Sequence, residues 1–110
     1  MANDHPVLRS NPTLQDVQKY IGQVIKYRGF DKQTVQDELL LLAEEVGELV
    51  KAVRQQTRSV RSDANSQSHN IPHEAADVLW MLVCVCNRLE IDIEMAIREK
   101  EEHNKKRTWR

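Results

Sequence analysis

Residues 34–53 read TVQDELLLLAEEVGELVKAV, and the spacing of their apolar positions decides the fold class. Leu39, Leu42, Val46, Leu49 and Val53 recur every three or four residues, with Val50 beside Leu49, the pattern of an α-helix with one apolar face. Thr34 opens the run and Asp37 follows three residues later, a pairing that satisfies the first free N–H groups of a helix. The stretch predicts a helix whose core face is Leu42, Val46, Leu49 and Val53. A second stripe lies about 100° round that helix, at Leu41, Glu45, Glu48 and Ala52. Its two acids are flanked, one turn either way, by apolar residues where a solvated face would carry Lys, Arg or Gln.

The flanking sequence extends the same pattern. Upstream, Thr13 and Asp16 repeat the capping pair, and Leu14, Val17, Tyr20, Ile21, Val24 and Ile25 recur at helical spacing until Gly29 ends the element. Residues 1–12, with Pro6 and Pro12, read as an irregular arm before a folded domain over 13–110. Residues 57–71 turn polar (Ser59, Ser62, Asp63, Asn65, Ser66, Ser68), lose all periodicity and predict a mobile loop. Pro72 suits the first turn of a third helix, apolar almost all round from Ala75 to Leu89 and so expected to be the most buried. Asp92 caps a fourth, amphipathic at Ile93, Met95, Ala96 and Ile97 and then strongly charged. The expected architecture is an all-α bundle of four helices.

Composition agrees and removes some function classes. Sixteen basic side chains against 17 acidic ones give a net charge of -1, which offers no electrostatic argument for nucleic acid or an anionic membrane. Charged residues at 30%, aromatics at 5%, three Gly and three Pro favour helices over a sandwich or barrel. Cys84 and Cys86 sit in an apolar run, too close to staple a fold and without zinc partners, so they read as reduced core residues. No apolar run approaches the roughly 20 residues of a membrane span, and no hydrophobic signal region opens the chain. The expectation is a soluble cytoplasmic protein of one domain, small enough to benefit from oligomerisation.

The acids carry the chemistry. Glu44 stands at i,i+4 from Glu48, so with Glu45 three carboxylates crowd about one and a half turns, a repulsion of a few tenths of a kcal/mol per pair. Glu74 and Asp77 repeat the i,i+3 spacing on the most apolar helix, and no Lys or Arg falls between Glu74 and Val85. Acids placed there are costly unless paired or bound to a cation. Either cluster alone is compatible with solvated acids, or with acids favoured at a helix N-terminus. Both together, each with apolar flanks, favour a metal held between two helices. Hard oxygen ligands suit Mg²⁺, with Mn²⁺ as a substitute. A di-iron bundle wants Glu-x-x-His, whereas His73 directly precedes Glu74 and is turned about 100° from it. A zinc protease helix would need a second His.

The ordered set Glu44-Glu45-x-x-Glu48 and Glu74-x-x-Asp77, with Ala76-Asp77-Val78-Leu79-Trp80 and the tail Lys100-Glu101-Glu102-His103-Asn104-Lys105-Lys106-Arg107, resembles the MazG-like all-α nucleoside triphosphate pyrophosphohydrolases. The resemblance runs from about Leu14 to Trp109. It implies Mg²⁺-dependent hydrolysis of NTPs or dNTPs to monophosphate and pyrophosphate, in homodimers or homotetramers with sites at the packed helices. Position by position, Glu45, Glu48, Glu74 and Asp77 match the metal ligands. Glu44 matches an extra acid that binds a second metal or orients the water.

Beside such a site, Lys100, Asn104 and Arg107, at i, i+4 and i+7, form a stripe suited to the outer phosphate oxygens. A solvated cationic helix end is the plainer alternative. Tyr20, Phe30 and Trp80 are the candidates for stacking on a base, although aromatics at helical spacing are more often core. Two other function classes stay open: a non-catalytic helical module that binds nucleotide or a partner around a structural cation, and a purely structural bundle.

Overall fold

The computed structural model describes residues 4–57 and 70–109. Within them the chain forms α1 (Leu14–Tyr27), α2 (Val35–Thr57), α3 (Ile71–Arg88) and α4 (Ile93–Lys105), with no strand among the described residues. The expected all-α architecture holds. Most of the loop expected over 57–71 lies outside the described residues; Thr57 and Ile71 themselves are helix ends. The chain divides into two compact units, Met1–Lys32 with Cys86–Arg110, and Gln33–Val85.

In the first unit α1 packs on α4. Helix α1 starts on the predicted capping box: Asp16 N–H donates to Thr13 Oγ1 at 3.0 Å, and Thr13 N–H donates to Asp16 Oδ2 at 2.9 Å. It ends where Gly29 takes φ 79°, so that Phe30 N–H reaches Ile25 O at 2.9 Å and Gly29 N–H reaches Lys26 O at 3.1 Å. Helix α3 ends the same way without a glycine. Glu90 holds φ 56°, and Ile91 N–H closes on Cys86 O at 2.8 Å. The Arg88 side chain donates to the carbonyls of Asp31 at 2.7 Å and Phe30 at 3.1 Å, tying the turn after α1 to the last turn of α3.

Ile21 and Val24 are buried in this unit beside Gln18, whose side chain is fully employed. Gln18 Nε2 donates to Asn87 Oδ1 (3.1 Å) and Ile91 O (2.9 Å), while Oε1 accepts from Ile93 N–H (2.8 Å). Asp92 caps α4 as expected, accepting from Met95 N–H at 3.2 Å and from the Gln15 side chain at 3.0 Å.

In the second unit α2 starts on its own capping box, Asp37 N–H to Thr34 Oγ1 and Thr34 N–H to Asp37 Oδ2, both 3.1 Å. Asn70 caps α3 by accepting from His73 N–H at 3.0 Å, and Pro72, which has no N–H to leave unpaired, fits the first turn. Val83, Cys84 and Val85 are buried, in keeping with a helix apolar nearly all round, yet Leu79 (46% exposed) and Leu82 (42%) face outward. Both cysteines are free, as expected; burial pushes the Cys86 thiol up and so keeps it protonated.

The core face of α2 differs from the expectation. Val46 and Val53 are each 42% exposed, Leu39 48% and Val50 60%. The inward stripe is instead Glu38, Leu41, Leu42, Glu45, Leu49 and Ala52, of which Glu38 and Ala52 are buried and the rest half-buried. The inward face draws on both stripes, and Glu48 alone of the second stripe is exposed. Leu42 and Leu49 stay inside, while the valines are left facing out of the single chain.

Candidate metal centre

The inward stripe of α2 carries Glu45 to the start of α3. One carboxylate oxygen from each of Glu45, Glu74 and Asp77 lies within 4.8 Å of the other two. Two helices are needed for this. The i,i+3 step sets Glu74 and Asp77 one above the other on the first turns of α3, and α2 brings Glu45 against them. Glu45 and Glu74 are half-buried and Asp77 is exposed, so the trio opens at its Asp77 end.

The electrostatics are those of crowded anions. The Glu45 carboxyl is held above its ordinary value of 4.5, first by burial, then by Asp77, Glu74, Glu48 and Glu44 in falling order. All five predicted acids therefore bear on one point. A cation there relieves both the burial and the repulsion. Oxygens opposed across Mg²⁺ stand about 4.2 Å apart, twice the ~2.1 Å bond, so the trio is spread on the scale of one hard cation. The donor set, all oxygen, fits Mg²⁺ or Mn²⁺ and lacks the thiolate or imidazole of a softer site.

The remaining sequence candidates divide between the units. Glu44 and Glu48 are exposed on α2, outside the close trio but within its field. Trp80 is half-buried on α3, one turn beyond Asp77. Tyr20 (half-buried) and Phe30 (48% exposed) belong to the unit of α1 and α4. Lys100 and Asn104 lie on α4 in that same unit, but Arg107 falls past the helix end at Lys105. The expected single helical stripe is thus broken before its last member. The Arg107 guanidinium lies over the Trp109 ring, 4.6 Å from its centroid. Asn104 Oδ1 is buried with no hydrogen bond among the described residues.

Sequence reasoning passed over Glu38, 1% exposed and two turns before Glu45 on the inward face. Its signal was the seven-residue spacing from Glu45, hidden because Glu38 also reads as an ordinary first-turn acid.

Comparison with known proteins shows the family. The sequence profile of the MazG nucleotide pyrophosphohydrolase domain matches residues 33–109, a span that holds both acidic clusters. The uncharacterised protein YpjD of Bacillus subtilis is 32% identical over 90 residues, covering 79% of this chain and 78% of that one. The crystal structure of YpjD, a proposed pyrophosphatase, superimposes with a TM-score of 0.75 at 27% identity, over 91% of this chain and 100% of that chain.

Proposed function

Because this chain belongs to the MazG nucleotide pyrophosphohydrolase domain family, we propose that it hydrolyses NTPs or dNTPs to the nucleoside monophosphate and pyrophosphate, using Mg²⁺. The observation that carries the reading is the trio of Glu45, Glu74 and Asp77, three carboxylates from two helices within 4.8 Å. Glu48 completes the ligand set from the exposed side of α2. Bound there, Mg²⁺ supplies charge neutralisation at the phosphate oxygens.

The chain's own residues do the rest. Glu44 orients a water toward the α-phosphorus and takes its proton. The new P–O bond forms as the α–β bridging oxygen leaves with pyrophosphate. Lys100, Asn104 and Arg107 are assigned to the phosphate oxygens, and Tyr20, Phe30 and Trp80 to the base. Hydrolysis of this kind suits the house-cleaning of altered or surplus nucleotides in the cytoplasm. No helix among the described residues is long and apolar enough to cross a membrane.

The exposed valines of α2, with Leu79 and Leu82 of α3, support a homodimer or homotetramer. The test of the activity is a dNTP panel with Mg²⁺, with monophosphate and pyrophosphate both quantified. Equal release of the two products from at least one nucleotide is expected. No turnover of any nucleotide by folded protein overturns the reading.

A further inference from the structure

One side of α4 carries its charges in a particular order. Glu94, Arg98, Glu101 and Lys105 stand at i, i+4, i+7 and i+11, within about 60° of one another round the helix. They border an open groove of about 630 Å³ whose apolar lining is Leu14 of α1 and Ile97 of α4, the latter 56% exposed. Arg98 donates to Glu94 at 2.9 Å, and Lys105 turns to Glu102 at 2.9 Å rather than to Glu101. The Glu101 carboxylate is left without an ion pair or hydrogen bond among the described residues.

Alternating charge is common on a solvated helix, where each pair contributes little. This order has a further property. Negative, positive, negative, positive becomes its own complement when the helix is reversed. Against an antiparallel copy, about a two-fold axis between Glu99 and Lys100, Glu94 meets Lys105 of the second copy and Arg98 meets Glu101 of the second copy. Both pairs are centred on the same point, so one axis satisfies them together and makes each pair twice. It also sets Ile97 of each copy on the same side of the seam. A parallel pairing in register would instead oppose like charges throughout.

We propose that this side of α4 is a contact between two copies of the chain, an antiparallel helix pair joined by Glu94–Lys105 and Arg98–Glu101 ion pairs. It uses none of the α2 and α3 residues proposed above to join copies. The seam spans about 17 Å, eleven steps of about 1.5 Å, which places it with weak, transient contacts. Ion pairs at such a seam are screened by salt, whereas apolar contact is not.

The experiment is sedimentation of the full chain over a concentration series at about 0.05 M and about 0.5 M salt, which differ severalfold in screening length. The wild type is expected to associate about tenfold more weakly at the higher salt. At low salt Arg98→Glu, which sets like charges against each other twice, should weaken association by at least about tenfold. Adding Glu101→Arg to Arg98→Glu restores opposite charges across the seam and should recover the wild-type constant to within about twofold. Salt-independent association of the wild type overturns the proposal and leaves the α2 and α3 contact standing, and this arm needs no variant to fold. Arg98→Glu that associates like the wild type overturns it, and so does a double variant as weak as the single one. A wild type that stays monomeric at low salt overturns both contacts and leaves the groove to a different partner.

Discussion

A carboxylate oxygen of Glu45 on α2 lies within 4.8 Å of one on Asp77 of α3, although the two residues come from separate helices. Burial and its acidic neighbours hold Glu45 above its ordinary value, so the cation-free site is under electrostatic tension. Mg²⁺ is therefore expected to raise the melting temperature. At about ten times its Kd the ion contributes roughly 1.4 kcal/mol, a rise of about 5 °C in a chain of this size. Glu45→Gln removes one of the repelling charges. It should melt at or above the wild type without metal and gain little when Mg²⁺ is added. Calorimetry with and without Mg²⁺ checks both halves, and an undiminished Mg²⁺ response in the variant removes Glu45 from the ligand set.

Glu48 and Asp77 test the rest of that set through activity. Outer partners of metal ligands already alter affinity or activity by about 10–100-fold, so loss of a ligand should cost at least about a hundredfold. Asp77→Asn and Glu48→Gln should each lower turnover by that much with the helical circular dichroism unchanged. Full activity in Glu48→Gln alone would confine the ligand set to the close trio.

The outward valines of α2 give a prediction about assembly. Leu39, Val46, Val50 and Val53, with Leu79 and Leu82 of α3, are each at least 42% exposed in the single chain. Apolar area on this scale is covered in most proteins by association. The chain should therefore sediment as a dimer or larger. Val50→Glu, which would bury a charge in that contact, should weaken association by at least about tenfold, or roughly 1.4 kcal/mol. A wild type that sediments as a monomer at micromolar concentration refutes the proposed assembly.

How much was readable in advance depended on whether the physics was local. The starts of α1 and α2 were legible because each capping box lies within four consecutive residues, Thr13–Asp16 and Thr34–Asp37. The pairing of Glu74 with Asp77 was legible because i,i+3 spacing sets both on one side of α3, whereas the same spacing on α2 did not bring Glu48 into the close trio with Glu45. The inward face of α2 was not, since both of its stripes are apolar enough to be core and only tertiary packing chooses between them. Arg107 was misplaced for a related reason: helical period continued on paper past Lys105, where the helix itself ends. Gln18 gave no signal either, because a polar residue on an apolar face reveals its purpose only when its partners arrive from distant sequence.

Those partners make Gln18 a test of the first unit. Gln18→Ala would leave Ile93 N–H, Ile91 O and Asn87 Oδ1 without their shared amide. Water reaches part of this site, so the expected loss is about 2–4 kcal/mol, less than three fully orphaned groups would give. The melting temperature should fall by more than about 10 °C. A fall of only one or two degrees would show that solvent replaces the network at little cost.

Asp92 makes a prediction about acid. Its carboxylate accepts first from Met95 N–H and then from the Gln15 side chain, which holds the group below its ordinary value of 3.8. A carboxylate with a lowered folded value contributes stability that is complete above the unfolded value and is lost as pH falls through the folded one. The wild type should therefore lose melting temperature steadily below about pH 3.8. Asp92→Asn still caps a helix but cannot titrate, so it should match the wild type near neutrality and lose less on acidification. Melting curves at intervals from pH 6 to pH 2 measure the two slopes. Parallel slopes would mean that the cap contributes nothing through its charge, and that Asn and Asp serve α4 equally at every pH.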